Sequence, residues 1–199
     1  GSPEAEPSYL CARELADSLG EPTRLYQALW GLWYVNLGRG QYLSAGELGE
    51  QLLVIAQREN DTGPLLEAHH ALWPTVSAMG EPTAALLHLE QGLALYDPEQ
   101  HASQALLYGG HDAGVCCRFY LSRTQWVLGY PDRAAATMRE ALGLAERLAQ
   151  PTTLALTLAF AAMGQYRLGE WRDARKSGER LYAIAETHGL TAQARDSLV

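Results

Sequence analysis

One short pattern constrains this 199-residue chain more than any other feature. A residue that is apolar in all copies but one, where it is Arg39, is followed by Gly, one spacer, an aromatic residue or Pro, two further residues and Ala. Leu168-Gly169-Glu170-Trp171-Arg172-Asp173-Ala174 is its clearest copy. Earlier copies centre on Gly40, Gly80 and Gly129, with Ala45, Ala85 and Ala134 in the last place. The glycines are separated by 40, 49 and 40 residues (40→80, 80→129, 129→169). Recurrence at a period of about 20–50 residues is the mark of stacked supersecondary repeats.

Each copy has a physical reading as an elbow between two helices. Gly adopts the left-handed conformation that closes a helix C-terminus at little steric cost. Ala, one turn into the next helix, lets two helix backbones approach closely. Ala and Leu are abundant and β-branched residues sparse, which favours helices throughout. Apolar stripes at helical spacing flank the elbows: Leu25, Leu29, Leu32 and Trp33 before Gly40, and Leu48, Leu52 and Ile55 after it. The spacing predicts four helical hairpins, at 22–60, 64–98, 111–149 and 151–188, with partial helices at 7–19 and 190–199. We read residues 3–199 as a single helical-repeat domain, all-α, and Gly1-Ser2 as a scar left by tag removal. The natural polypeptide is then expected to be longer.

The elbows Gly40/Tyr42/Ala45, Gly80/Pro82/Ala85, Gly129/Pro131/Ala134 and Gly169/Trp171/Ala174 resemble those of the tetratricopeptide class. The resemblance implies αα-hairpins stacked as a right-handed superhelix. The period of about 40 exceeds that family's typical value of about 34, and Asn36, Gln125 and Gln165 stand where large apolar residues are usual. The segments HALWPTVSAMGEPTAALLHLEQGLALYDPEQH (70–101) and LYGGHDAGVCC (107–117) are similar to the repeat region of bacterial signalling proteins. Those proteins join a nucleotide-cyclase or DNA-binding module to a STAND-type ATPase and helical repeats. That similarity implies a sensor or protein-interaction platform. No GxxxxGK[ST] loop is present, so no ATP-binding role carries over.

Composition narrows the function classes. A net charge of −8 argues against generic nucleic-acid binding and attraction to anionic membranes. The most apolar run, Leu154 to Met163, falls short of the roughly 20 residues a membrane span needs. Three cysteines, two of them adjacent, make no disulfide framework, and a cytoplasmic location is expected. His111, Asp112, Cys116 and Cys117, with His101 upstream, carry metal-ligating atoms. Adjacent helical cysteines diverge, however, and paired zinc spacing is missing. We therefore read Gly109-Gly110 as a turn, Asp112 as a helix cap and the cysteines as packing groups, and expect no metal or cofactor. His69-His70 lacks a nucleophile at dyad spacing and there is no GxSxG elbow. Glu47/Glu50 reads as a solvated face, and no catalytic residue is assigned.

The remaining candidates form a partner-binding groove. Counting back from each elbow Gly places Trp30, Tyr34, Glu67, His70 and Ser77 on the first helices of the earlier hairpins. The same count places Phe119, Arg123, Trp126 and Tyr166 on those of the later ones. Trp, Tyr and Arg are enriched at binding hot spots, although aromatic residues at helical spacing also fill cores; the set reads as a mixed groove. The expectation is a non-catalytic interaction or sensor domain of a larger cytoplasmic signalling protein. Its partner would be a protein or peptide, including other domains of its own polypeptide, with Arg123 offered to a carboxylate. Two alternatives are a small-molecule effector pocket where residues 97–111 fold against the groove, and a self-association module forming a homodimer through an unpaired C-terminal helix.

Overall fold

A computed structural model describes residues 5–59 and 61–190, and every structural statement below concerns these. Among them all regular structure is helical. The order is α1 (Ala5–Leu19), α2 (Pro22–Gly38), α3 (Tyr42–Glu59), α4 (Thr62–Ala78), α5 (Pro82–Leu95), α6 (Pro98–His101), a 3-10 turn (Ala102–Leu106), α7 (Ala113–Val127), α8 (Pro131–Leu148), α9 (Pro151–Arg167) and α10 (Trp171–His188). Two compact units divide the chain between Tyr96 and Asp97. The first holds α1 and the hairpins α2/α3 and α4/α5. The second holds α6, the 3-10 turn and the hairpins α7/α8 and α9/α10.

The elbows are one device repeated. Gly40, Gly80, Gly129 and Gly169 have φ of 72°, 83°, 89° and 77°. The residue after each glycine donates its N–H back to the helix: Gln41 to Asn36 O at 2.9 Å, Glu81 to Val76 O at 3.2 Å, Tyr130 to Gln125 O and Glu170 to Gln165 O at 2.8 Å. Each glycine N–H donates to the carbonyl three residues earlier, as Gly129 does to Trp126 O at 3.1 Å. This pair of bonds satisfies carbonyls that a helix end leaves open. Gly20 closes α1 in the same way, with Glu21 donating to Ala16 O at 3.0 Å. Starts are set as economically: Pro22, Pro82, Pro131 and Pro151 occupy first-turn positions that need no N–H, while Asp61, Asp97 and Asp112 cap α4, α6 and α7.

Ala45 and Ala85 are fully buried and Ala134 nearly so, whereas Ala174 is only half-buried. Glycine permits close approach between α1 and α2, where an added Cβ at Gly31 would run into the Tyr9 ring, and between α3 and α4, where one at Gly49 would sit 2.7 Å from Leu72. The polar departures from the repeat pattern are satisfied locally. Asn36 Nδ2 donates to Leu32 O at 2.7 Å. In the second unit Thr137 Oγ1 donates to Gln125 Oε1 at 2.8 Å, and Ser177 Oγ to Gln165 Oε1 at 2.9 Å. The two pairs occupy matching places, each a hydroxyl on the second helix meeting a Gln on the first.

Two stretches differ from simple periodicity. On α1 only Ala16 is buried, so the stripe of Leu10, Leu15 and Leu19 lies exposed. The residues that lengthen the central interval form α6 and the 3-10 turn. Asp97 Oδ1 accepts from Glu99 N at 2.9 Å, and Gln150 Nε2 donates to Ala102 O at 3.3 Å. Gly109 and Gly110, both at φ 72°, then turn the chain into the Asp112 cap. Nearly all of the partial helix expected at 190–199, and the tag scar, lie outside the described residues.

Candidate functional site

The groove candidates separate by unit. In the first, Trp30 is buried, stacked on Tyr34 at 5.6 Å between ring centroids and set edge-on to Trp33 at 4.9 Å. His70 stacks on Trp73 at 4.9 Å and its Nδ1 lies 2.8 Å from Glu67 Oε2, with both side chains almost wholly buried. Trp33 Nε1 donates to Thr75 Oγ1 at 2.9 Å, and that hydroxyl donates on to Ala71 O. Ser77 Oγ is buried with no hydrogen-bond partner among the described residues. Of this group Tyr34 is exposed and Ser77 half-buried. Trp30, Glu67 and His70 build the interior of their unit.

Neighbouring these, His69 Nδ1 faces His88 Nδ1 at 3.1 Å, across α4 and α5. Burial pushes the His69 imidazole down to about 4, with the His88 charge adding to the effect. Burial also lowers His88, against the opposing pull of Glu50. A neutral pair sharing one N–H is the arrangement burial selects. Glu47 and Glu50 are exposed on α3.

In the second unit the candidates reach the surface. Phe119 is buried and stacked on Phe160 at 4.1 Å. Trp126 is 39% exposed and Tyr166 63% exposed, the latter packed edge-on against the 60% exposed Trp171. The Arg167 guanidinium lies 5.4 Å from the Trp126 ring centre, within reach of a cation–π contact. Arg123 is half-buried, 6.0 Å from the Tyr120 ring, and among the described residues no acceptor is bonded to it.

A cavity of about 300 Å³ opens beside Arg123, between hairpin α7/α8 and the elbow end of hairpin α9/α10. Trp126, Met138, Phe160 and Ala161 give it apolar walls; Arg139, Arg167 and Glu170 stand at its mouth. Small-molecule sites commonly combine apolar walls with a few aimed polar groups. No residue of 97–111 lines it, so the cavity is not where the sequence placed a pocket. Of the nine groove candidates only Arg123 and Trp126 line it. Ser122, Ala161 and Gly164 were missed because single small residues carry no chemical signal, although their register against the elbows was readable.

Of the metal-ligand types near the insertion, Asp112 and His101 bond the backbone. Asp112 Oδ1 accepts from Val115 N at 2.8 Å, and its own N–H donates to Thr153 Oγ1 at 2.9 Å. His101 Nδ1 accepts from Asp97 N, and His111 Nδ1 lies 3.1 Å from Gly109 O. Cys116 and Cys117 are buried.

Known structures settle the architecture. The crystal structure of BtubC (BKLC) from P. vanneervenii superposes at a TM-score of 0.68, with 21% identity, covering 92% of this chain and 73% of that one. This is a tetratricopeptide-like repeat fold. A Podosopora anserina kinesin light chain-like protein of nearly identical TPR-like repeats gives a TM-score of 0.61 at 18% identity, covering 94% and 88% of the two chains. A thermophilic TPR protein of Thermus thermophilus gives 0.55 at 17%, covering 98% and 99%. No family model matches the chain. An uncharacterized protein of Rhizobium meliloti (strain 1021) is 22% identical over 182 residues, 91% of this chain; the chain spans only 17% of that relative's length. Among the described residues no helix is long and apolar enough to cross a membrane.

Proposed function

We propose that this tetratricopeptide-like chain is a non-catalytic protein-interaction domain acting as one module of a larger cytoplasmic signalling polypeptide. The observation that carries the reading is the exposed aromatic and arginine surface at the elbows of the second unit. Trp126, Tyr130, Tyr166 and Trp171 all expose large rings there, and Arg167 and Arg133 lie against Trp126 and Tyr130. Rings of this size left in water oppose the hydrophobic effect, and Trp, Tyr and Arg dominate interface hot spots. The partner is a protein or peptide segment carrying carboxylates, which the guanidinium groups would grip in pairs of hydrogen bonds. Nucleic acid is not its partner, given the acidic net charge. Much greater length in the curated relative supports a place within a larger chain.

The test is capture of partners from native lysate by the wild-type chain and by a Trp126→Ala/Tyr166→Ala double variant. Both side chains are exposed, so helicity should survive; Trp30, embedded in the first unit, would confuse loss of binding with loss of packing. A protein retained by the wild type and lost by the variant supports the reading. Equal capture by both would refute it.

A further inference from the structure

The cavity in the second unit arises from three small residues standing where the first unit has large ones. Seven residues before their elbow glycines stand Trp33 and Ser122; eight before, Leu72 and Ala161; five before, Thr75 and Gly164. In the first unit the trio fills the space between hairpin α2/α3 and α4: all three are buried, and the Trp33 indole bonds Thr75 at 2.9 Å. In the second unit Ser122, Ala161 and Gly164 all line the cavity. Ser122 Oγ turns away to Ala134 O at 2.7 Å, and a Cβ added at Gly164 would meet nothing within 4 Å. The same repeat geometry, emptied at three matching positions, leaves about 300 Å³ unfilled.

Interiors are close-packed and natural chains keep few such voids. This one is bordered by a half-buried guanidinium, that of Arg123, with no bonded acceptor among the described residues. A partly desolvated cation with a ring beside it but no bonded acceptor gains from an anion that supplies the counter-charge. We propose that the cavity binds a small organic monocarboxylic acid with a compact apolar or aromatic body. Arg123 takes the carboxylate, and Phe160, Met138 and Ala161 take the body. Arg139 and Arg167 add positive charge at the mouth, where Asp173 is held by Lys176 at 3.0 Å. Glu170 at the same rim disfavours a second negative charge and so a diacid. The volume sits at the small end of the range for ligand sites, about 300–1,000 Å³. This inference shares Trp126 and Arg167 with the partner-binding surface but is tested separately, because it needs the cavity and Arg123 and neither Tyr166 nor Trp171.

The experiment uses the whole chain with indole-3-acetate and 4-phenylbutyrate as probes and the corresponding amides as neutral controls, by calorimetry and thermal shift. The expected result is binding of at least one acid, with a raised melting temperature. The matching amide should bind at least tenfold more weakly, and Arg123→Met should weaken the acid by a similar factor. Ser122→Trp, which installs the first unit's residue, should abolish binding. Should that variant fail to fold, Arg123→Met, at a half-buried position outside the core, carries the test alone. Absence of binding by both acids, equal affinity for acid and amide, or an unchanged affinity in Arg123→Met overturns the proposal.

Discussion

The two units use one elbow and place their tryptophans in opposite ways. In the first, Trp30, Trp33 and Trp73 are interior, joined by His70 and by a chain of hydrogen bonds through Thr75. In the second, Trp126 and Trp171 face water, and the helices pack through alanines: Ala155, Ala159 and Ala185 beside Leu158 and Leu181. The comparison teaches that this repeat needs only the elbow glycine and a few small residues to define a hairpin. What fills the space between hairpins is free to vary, and with it the surface left for other molecules.

The hardest blow to the comparison would be a first unit that tolerates small residues as the second does. Trp73→Ala removes a fully buried indole and should cost about 3–5 kcal/mol, read as a lower urea midpoint. A loss below about 1 kcal/mol, the scale of an ordinary surface change, would mean that the indoles are not what holds this unit.

Acid should act on the first unit in particular. The folded chain keeps His69 neutral down to about 4, whereas unfolded His takes up its proton near 6.5. The stability this pair contributes is therefore complete above about pH 6.5 and falls as pH drops toward 4. After allowance for solvent screening of the pair, the loss should reach about 1–3 kcal/mol. Chemical denaturation followed by tryptophan fluorescence measures it, and a His69→Phe/His88→Phe variant should flatten the profile between those limits.

Where the units are alike, they should respond alike. Gly80 at φ 83° and Gly129 at φ 89° both have open space where a Cβ would go. Alanine at either position meets only the left-handed backbone cost, about 1–2 kcal/mol, partly offset by a stiffer unfolded chain. The two variants should lose about 1 kcal/mol each, and a difference much larger than that would show that the elbows are not equivalent. Smallest of all, Trp171→Ala should shift stability by no more than about 0.5 kcal/mol, as befits an exposed ring; calorimetric melting would detect anything greater.

Much of the scaffold could be read from the sequence because its determinants are local. Gly169 with Trp171 and Ala174 spells a helix end, a restart and a close contact within a few residues. The elbow at Gly20 escapes the periodic count, since Leu25 stands where the other copies have Ala, and the exposure of Leu10, Leu15 and Leu19 is not evident from a stripe that looks like any buried face. Site residues are harder. Trp30 and Trp126 are the same residue type on first helices, yet one is interior and the other half in water. The difference depends on which side chains neighbouring positions bring: Tyr34, Trp33 and His70 gather around Trp30, while Arg167 lies over Trp126. His69 stands out in the sequence beside His70 and His88 does not, because their meeting depends on the crossing of α4 and α5.

The elbow bonds also bear on how the chain reaches its fold. Each turn is closed by main-chain donors and acceptors only a few residues apart, as Tyr130 to Gln125 and Gly129 to Trp126 illustrate. A hairpin can therefore begin to form as soon as its own two helices exist, with little loop-closure entropy to overcome. Such local closure favours rapid collapse, and repeats that contact mainly their neighbours can nucleate in more than one place. On a ribosome the hairpin α2/α3 could be in place before α9 has been synthesised.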